Sequence, residues 1–517
     1  MMLLSDQLKR ESGVIDAAIV MGTELNKNAL LNNGLLTIDG NKAGETDTII
    51  SLTCNDESSL NTAIAKAEKL LTSKPGKWTL EFSNIYSALK SFNVANLAII
   101  SVPGKYVRDI AVELLNKKLH IFLFSDHVPL EVEIELKRLA SNNHLLLMGP
   151  EAGTSIINGT VLGFGNHVRR GNIGIIGASG TGIQESSTLL DMYRSGISHA
   201  IGVGGRDMLK ENGGLMTLQA IEAFENDPET KVVLLVSKPV DSDARNMIVN
   251  TIKNEAKKKY ALCLIGDKED IVDSDQIVFA KSIQSSILKI LKLSDPIAYQ
   301  NTLEQFRKEM HDTISLAKKL SSNLSERQKY VRGFFAGGTL CYESIAVLEQ
   351  IVDQEIYSNL THDSKLHLDG MQKSKEHTFI DFGDDEFTTA RPHPIIDPSL
   401  RINRILEEAK DPNVALIIVD IITGYSVANN TLQLHAKAIK EAISIARQEN
   451  RTLPVFAYIC GTDVDVPDLE LNIIKNSGAE IFRSNALMSF AAGLVVNQID
   501  YKQLKKISAN YLGEGLC

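Results

Sequence analysis

Gly171–Ser187 reads GNIGIIGASGTGIQESS, and the fold is decided there. Asn172–Ile176 is a short apolar run rich in β-branched residues, suited to a strand buried on both faces. Gly177-Ala178-Ser179-Gly180-Thr181-Gly182 interrupts it, and Ile183–Tyr193 reads as a helix. A strand, a Gly/Ser turn and a helix start gather backbone N–H groups and the positive end of a helix around one point. That arrangement suits a phosphate or a carboxylate. Small residues are needed because a bulky Cβ would block close backbone approach. Similar turns also occur in α/β crossovers that bind nothing, so the meaning of this one depends on the rest of the chain.

The same grammar recurs on either side. Leu97–Pro103, His120–Asp126 and His144–Pro150 read as strands, separated by helices over Tyr106–Lys117 and Leu130–Ser141. Downstream, His199–Gly205, Lys231–Ser237 and Tyr260–Gly266 read as strands among helices over Leu215–Asn226, Ala244–Lys258 and Ile283–Leu293. Strands alternating with helices imply right-handed crossovers and parallel sheets. Ligands of such sheets sit beyond the carboxyl ends of the strands, where Gly104-Lys105, Gly149-Pro150-Glu151 and Gly205-Arg206 lie. His120, His127 and His144 border strands and read as surface or core residues rather than ligands. Residues 1–95 are less legible. Asp16–Gly22 is a helix or a strand end, Thr48–Thr53 a strand, Ser58–Leu71 a helix, Lys74–Lys77 a turn and Trp78 a packing residue. Glu304–Arg332 reads as a long charged helix that connects to the last domain.

Composition narrows the class. A chain of 517 residues has room for about three domains. The net charge of −10 argues against a nucleic-acid or anionic-membrane surface. Five scattered cysteines (Cys54, Cys263, Cys341, Cys460 and Cys517) include no Cys-x-x-Cys pair, so no metal site and no disulfide framework is signalled. That usage fits a reducing cytoplasm. The N-terminus turns polar too early for a secretory segment, and Val414–Ile422 is strand-sized rather than membrane-spanning.

The last third repeats the middle third. Phe334–Ser344 (FFAGGTLCYES) parallels Ile175–Ser186, with a Glu at 343 or 185 in the helix that follows. Phe379–Phe387 parallels Gly202–Met208, and Ile405–Asp420 parallels Ile221–Ser237. Two Gly-Thr turns before helices therefore form a pair able to hold one phosphate between them. Its residues are Ser179, Gly180 and Thr181 with Gly337, Gly338 and Thr339, and Gly205 and Arg206 join them from the adjacent strand end. Cys341 follows the second turn; a helix start lowers a thiol pKa, but we read this cysteine as structural. The last domain also carries extra residues, Thr361–Pro398, with Asp381, Asp384, Asp385, Glu386, Arg391 and His393. Acidic groups at a strand end suit a cation or the orientation of a nucleophile. Arg391 suits a carboxylate, and His393, between two prolines, a proton or an oxyanion. The alternative for this stretch is a charged loop with surface ion pairs. His362 and His367 fit no metal spacing.

GNIGIIGASGTGIQES, GVGGRD and AFENDPETKVVLLV, in that order, resemble the ligase domain of succinyl-CoA synthetase α subunits. SVPGKYVRDIAVELL and LMGPEAGTSIING resemble the end of that subunit's CoA-binding domain, and the final domain resembles the β subunit's CoA-ligase domain. With GGTLCYE and DFGDDEFTTARPHPIIDP, the whole chain looks most like the FdrA family. The resemblance implies three Rossmann/flavodoxin-like parallel-sheet α/β domains of the succinyl-CoA synthetase type. These are 1–165, resembling a degenerate CoA-binding domain, 166–325, ligase-like with a connector helix, and 326–517, a second ligase-like domain.

The departures shape the functional expectation. The synthetases pass a phosphoryl group through a histidine in a Gly-His-Ala-type loop, and here no histidine lies between His199 and His311. An ATP-grasp portion has no counterpart, and the Gly-rich turn that opens a CoA-binding domain is not visible before Asn96. The phosphate-holding turns remain, which suits an acyl phosphate that arrives activated. FdrA-like proteins are associated with oxamate carbamoyltransferase in anaerobic allantoin (purine) breakdown, together with partner proteins. The resemblance thus implies carbamoyl phosphate and oxamate as substrates. Phosphate would sit at the paired turns, and Arg391 or Arg206 would hold the oxamate carboxylate. Arg391, His393, Asp384 and Asp385 would be the catalytic candidates. No covalent nucleophile is required, no metal is assigned, and the resemblance fixes no cofactor. CoA or a nucleotide enters under the alternative, an acyl-CoA synthetase, and a non-catalytic scaffold is the third reading.

Overall fold

The computed structural model describes residues 5, 8–9, 11–22, 26–27, 30–31, 34–44, 47–72, 82, 84–267, 273–369, 372–388 and 391–516. Trp78, Lys74–Lys77 and Cys517 lie outside them. The chain divides into two units, Met1–Val94 with Asp384–His393, and Ala95–Gly383 with Pro394–Cys517.

In the first unit the segment that reads as either helix or strand is a strand. Val14–Met21 (β1) pairs antiparallel with Thr48–Cys54 (β2), Ala18 opposite Ser51. Ala17 and Ile19 share one buried face of β1, as the two-residue period of a strand requires. They pack with Leu8 and with Ala67 of helix Glu57–Thr72 (α1). Asp385–Thr388 forms a four-residue helical turn. The Asp384 carboxylate accepts the Glu386 amide at 3.1 Å, and its carbonyl accepts the Thr388 amide at 3.1 Å.

The second unit opens with a parallel sheet ordered β3-β4-β5, made of Leu97–Ile100 (β3), His120–Leu123 (β4) and Leu147–Met148 (β5). Val107–Asn116 (α2) and Leu130–Asn142 (α3) connect them. Thr154–Ile157 (β6) and Thr160–Gly163 (β7) then form a hairpin around Asn158-Gly159, both with positive φ (50° and 78°), the backbone a tight two-residue turn demands.

Two copies of one topology follow. The first contains Arg170–Gly177 (β8), Gly180–Met192 (α4), Ile197–Gly202 (β9), Leu215–Asn226 (α5), Val232–Ser237 (β10), Ser242–Glu255 (α6), Lys259–Leu264 (β11), Ile277–Ala280 (β12) and Ile283–Ser294 (α7). Pro296–Ser321 (α8) leads to the second. That copy contains Tyr330–Phe335 (β13), Gly338–Leu348 (α9), Ile356–Ser358 (β14), His377–Asp381 (β15), Ser399–Glu408 (α10), Val414–Ile422 (β16), Thr431–Gln448 (α11), Val455–Cys460 (β17), Asp468–Asn476 (α12), Glu480–Phe482 (β18) and Asn485–Val496 (α13). Among the described residues the first sheet is ordered β12-β11-β10-β8-β9-β6-β7 and the second β14-β15-β13-β16-β17-β18. Without the added edge strands, both are 2-1-3-4-5 parallel sheets of the flavodoxin type. The first takes β6 and β7 from before residue 165, with Ile156 opposite Ala200.

Both central strands are apolar and covered on both sides, and β16 is buried from end to end. One continuous apolar core joins the copies through residues such as Ile175, Val236, Phe335, Leu340 and Met488. Helix α4 begins three residues before the sequence suggests, because Ser179 caps it and Gly180-Thr181-Gly182 become its first turn. The charged helix ends at Ser321 rather than at Arg332. Tyr330–Arg332 belong to β13, where Arg332 is buried against Glu408 at 2.8 Å and Asp411 at 3.1 Å. A charge that signals solvent in the sequence is here neutralised inside. Among the described residues, no helix is long and apolar enough to cross a membrane.

Candidate functional site

In each copy the strand order reverses between the first and third strands, β8 and β10 or β13 and β16, and that crevice is where open α/β sheets bind ligands. Helices α4 and α9 start at the two crevices, and their starts touch. Thr339 Oγ1 donates to Ser179 Oγ at 2.5 Å. A Cβ on Gly337 would stand 2.9 Å from the Thr181 side chain, and one on Gly182 3.4 Å from Thr339 Cγ2. Glycine is needed at 337 for space alone, since its φ of −111° is open to any residue. Thr181 and Thr339 are buried, whereas Gly180 and Gly338, the first residue of each helix, are half-buried. Among the described residues, the amides of Gly180, Thr181, Gly338 and Thr339 donate to no protein acceptor. Two positive helix ends with unmatched N–H groups therefore share one partly open place.

The two starts are held differently. Ser179 caps α4 through its side chain, which accepts the Gly182 amide at 3.4 Å. Helix α9 has no side-chain cap of its own. Instead Asp420 of β16 accepts the amides of Ala336 at 2.8 Å and Gly337 at 2.9 Å. Asp420 is fully buried and ion-pairs with Arg401 of α10. Arg401 Nη2 in turn lies 2.6 Å from His435 Nε2, and His435 Nδ1 donates to the Thr431 carbonyl at 2.6 Å. Burial, and then Arg401, pull His435 down to about 3, so the ring is neutral and both its nitrogens are engaged. Burial pushes Asp420 up, against the opposing pull of Arg401.

One helical turn inside, Glu185 and Glu343 bind the two copies together. Glu185 accepts the Asn485 amide, the first residue of α13, at 3.1 Å. Glu343 accepts the Ile283 amide, the first residue of α7, at 2.6 Å, and Asn485 Nδ2 at 2.8 Å. Each helix thus carries a carboxyl group that caps a helix of the other copy. Burial raises both well above the usual carboxylate range, Glu343 to about 7, and the neighbouring Glu343 raises Glu185 further.

Of the residues singled out in the sequence, Ser179, Gly180, Thr181, Gly337, Gly338 and Thr339 come together here. Gly205 is adjacent; a Cβ on it would lie 3.7 Å from the Ala178 carbonyl. Arg206 is committed elsewhere: its Nε lies 2.8 Å from buried Glu133 of α3 and its Nη2 donates to the Val128 carbonyl at 2.9 Å. Asp384, Asp385, Arg391 and His393 belong to the first unit, the Gly-Thr turns to the second. Cys341 is buried and its thiol is pushed well above the ordinary value by burial, which removes it as a nucleophile and agrees with a structural role. Lys238, Asp420, Arg401 and His435 were not singled out in the sequence. Lys238 directly follows the third strand of the first copy, beyond the carboxyl end where ligands of such sheets sit, and that strand-end position was the available signal, whereas Asp420 lies inside the matching β16. Among the described residues, no group of three or more His, Cys, Asp or Glu could hold a metal.

Known proteins place these features in a family. Residues 334–495 match the family model for CoA-ligase, residues 168–256 that for a CoA binding domain, and residues 1–81 that for AllF, heavy metal-associated domain. The chain is 40% identical to YahF of Escherichia coli over 474 residues, 91% of this chain and 90% of YahF. It belongs to the YahF family. The family has a succinyl-CoA synthetase-like architecture. The succinate–CoA ligase α subunit of Methanothermobacter thermautotrophicus is 28% identical over 36% of this chain and 65% of its own length. That of Aquifex aeolicus is 30% identical over 32% of this chain and 56% of its own length. Residues 1–81 of this YahF-family chain contain one cysteine, Cys54, and no histidine. Those residues do not fit a heavy-metal site of thiolate or imidazole ligands.

Proposed function

We propose that this chain is a subunit of a carbamoyltransferase that converts carbamoyl phosphate and oxamate to oxalurate and phosphate, or runs that reaction in reverse. The observation that carries the reading is the meeting of α4 and α9 at the Thr339–Ser179 hydrogen bond, with four unmatched amides around it. Such a place suits the phosphate of an activated substrate. In the transfer, the oxamate nitrogen attacks the carbamoyl carbon, the carbon–oxygen bond to phosphate breaks, and phosphate leaves with the electron pair. Positioning and charge stabilisation suffice for that step, so no covalent nucleophile is needed. The engagement of both His435 nitrogens supports a mechanism without a phosphohistidine. The FdrA-like motifs and the AllF-type match over residues 1–81 support the same reading.

Under this proposal Arg391 holds the oxamate carboxylate. His393, Asp384 and Asp385 handle the proton lost from the attacking nitrogen. The two ligase-like copies, the first completed by β6 and β7, are the working domains, and the chain acts in the cytoplasm within a hetero-complex of pathway proteins. The test is to incubate the chain and the products of neighbouring genes with carbamoyl phosphate and oxamate. The reading expects oxalurate and an equal amount of phosphate, and a loss of at least a hundredfold in rate for Arg391→Ala. Absence of oxalurate would overturn it.

A second reading is an acyl-CoA ligase, supported by the CoA-ligase and CoA binding matches and by the ligase α-subunit relatives. It expects ATP-dependent thioester formation with CoA and a phosphorylated residue in the same mixture.

A further inference from the structure

Each helix start opens on a glycine, and a polar side chain faces the place where a Cβ would stand. At Gly180 it is Thr154 of β6, whose hydroxyl is 3.2 Å from that place. Thr154 is 1% exposed and its hydroxyl has no hydrogen-bond partner among the described residues. A buried donor left unmatched at a helix N-terminus is the mark of a group waiting for an acceptor. At Gly338 two charged groups face the same place, Lys238 Nζ at 2.7 Å and Asp381 Oδ2 at 2.5 Å. Lys238 is half-buried, and its ammonium lies 5.7 Å from the centre of the Tyr342 ring. Among the described residues no carboxylate lies within ion-pair distance of Lys238.

Other charged groups near the helix starts are compensated or neutral. Asp420 has Arg401 as its counter-ion, and burial favours the neutral acid at Glu185 and Glu343. Lys238 therefore brings a full positive charge to the place where an arriving anion would sit, with Asp381 Oδ2 beside it. Helix ends alone offer partial charges, and Asp381 opposes them. We infer that Lys238 is the cation of the anion site, contacting a phosphoryl oxygen at the start of α9 and cancelling the repulsion of Asp381. A flexible ammonium suits this role as a point charge rather than a bidentate clamp. The inference rests on the reading of the paired turns as a phosphate site.

Inorganic phosphate is titrated into the full-length chain and into Lys238→Met, Lys238→Arg and Asp381→Asn, each checked for native circular dichroism. The expected result is binding weakened at least tenfold by K238M, restored to within about threefold by K238R, and tightened several-fold by D381N. Opposite responses at 238 and 381 would not follow from a packing role for Lys238 against Tyr342. Binding by the unsubstituted chain that K238M leaves unchanged overturns the role of Lys238 alone. Absence of phosphate binding by the unsubstituted chain overturns the reading of the turns, and this inference with it.

Discussion

Glu185 and Glu343 stand at equivalent places, each four residues after the threonine of its turn, yet their surroundings differ by one donor. Both Glu343 oxygens accept protein N–H groups. Glu185 Oε1 accepts one, and its buried Oε2 has no partner among the described residues. A proton on Glu185 Oε2 therefore opposes no protein donor, and Gln mimics that neutral form. Glu185→Gln is expected to change stability by less than about 1 kcal/mol, whereas Glu343→Gln turns an amide NH2 toward an existing donor and costs about 1–3 kcal/mol. Urea denaturation of the two variants checks this, and equal losses would contradict the assignment. The pH dependence has a definite sign. Glu343, raised to about 7, holds a proton in the folded chain over a range where the unfolded chain has lost it. Its contribution is fully present below the ordinary carboxylate value and is lost as pH rises through about 7. Unfolding followed from pH 5 to 8 is expected to show stability falling across that window. At this scale the turns were legible because Gly and Thr have few other reasons to recur before a helix. Asp420, Arg401 and His435 were not, because a buried polar network draws on α10, α11 and β16, and no local pattern joins them.

At the scale of elements, α4 and α9 are pressed together where Gly337 meets Thr181. Its ordinary φ makes Gly337→Ala a test of space rather than of backbone conformation. The added methyl would stand 2.9 Å from Thr181 and is expected to cost about 1–3 kcal/mol. Thr181→Ala in the same chain removes two of the three Thr181 atoms that crowd the methyl and is expected to recover part of that loss. A double-mutant cycle with no coupling would show that the helices do not meet there. Most strands and helices of the second unit could be read from alternation. The exceptions have physical causes. Arg332 looked like part of a charged helix because its partners Glu408 and Asp411 are remote in sequence. The first turn of α4 looked like a loop because glycines disfavour helices, and Ser179 compensates at the cap. Asn158-Gly159 carried a hairpin signal that the alternating pattern around it obscured.

At the scale of the molecule, duplication explains the site. Two 2-1-3-4-5 sheets share one core, and each supplies the same crevice, the same Gly-Thr helix start and the same glutamate one turn later. The repeat was visible in the sequence, but the touching of its two turns needed the packing of α4 on α9. Divergence then gave the copies different tasks. The second uses Asp420 to hold its turn, while the first carries Lys238 just beyond the end of its own third strand. The central claim is that one anion is held by both helix starts. Amide hydrogen exchange of the full chain with and without phosphate tests it directly. The account predicts slowed exchange in peptides covering residues 180–182 and 338–340 together, with the same dependence on phosphate concentration. Protection at one turn alone, or at neither, would contradict it.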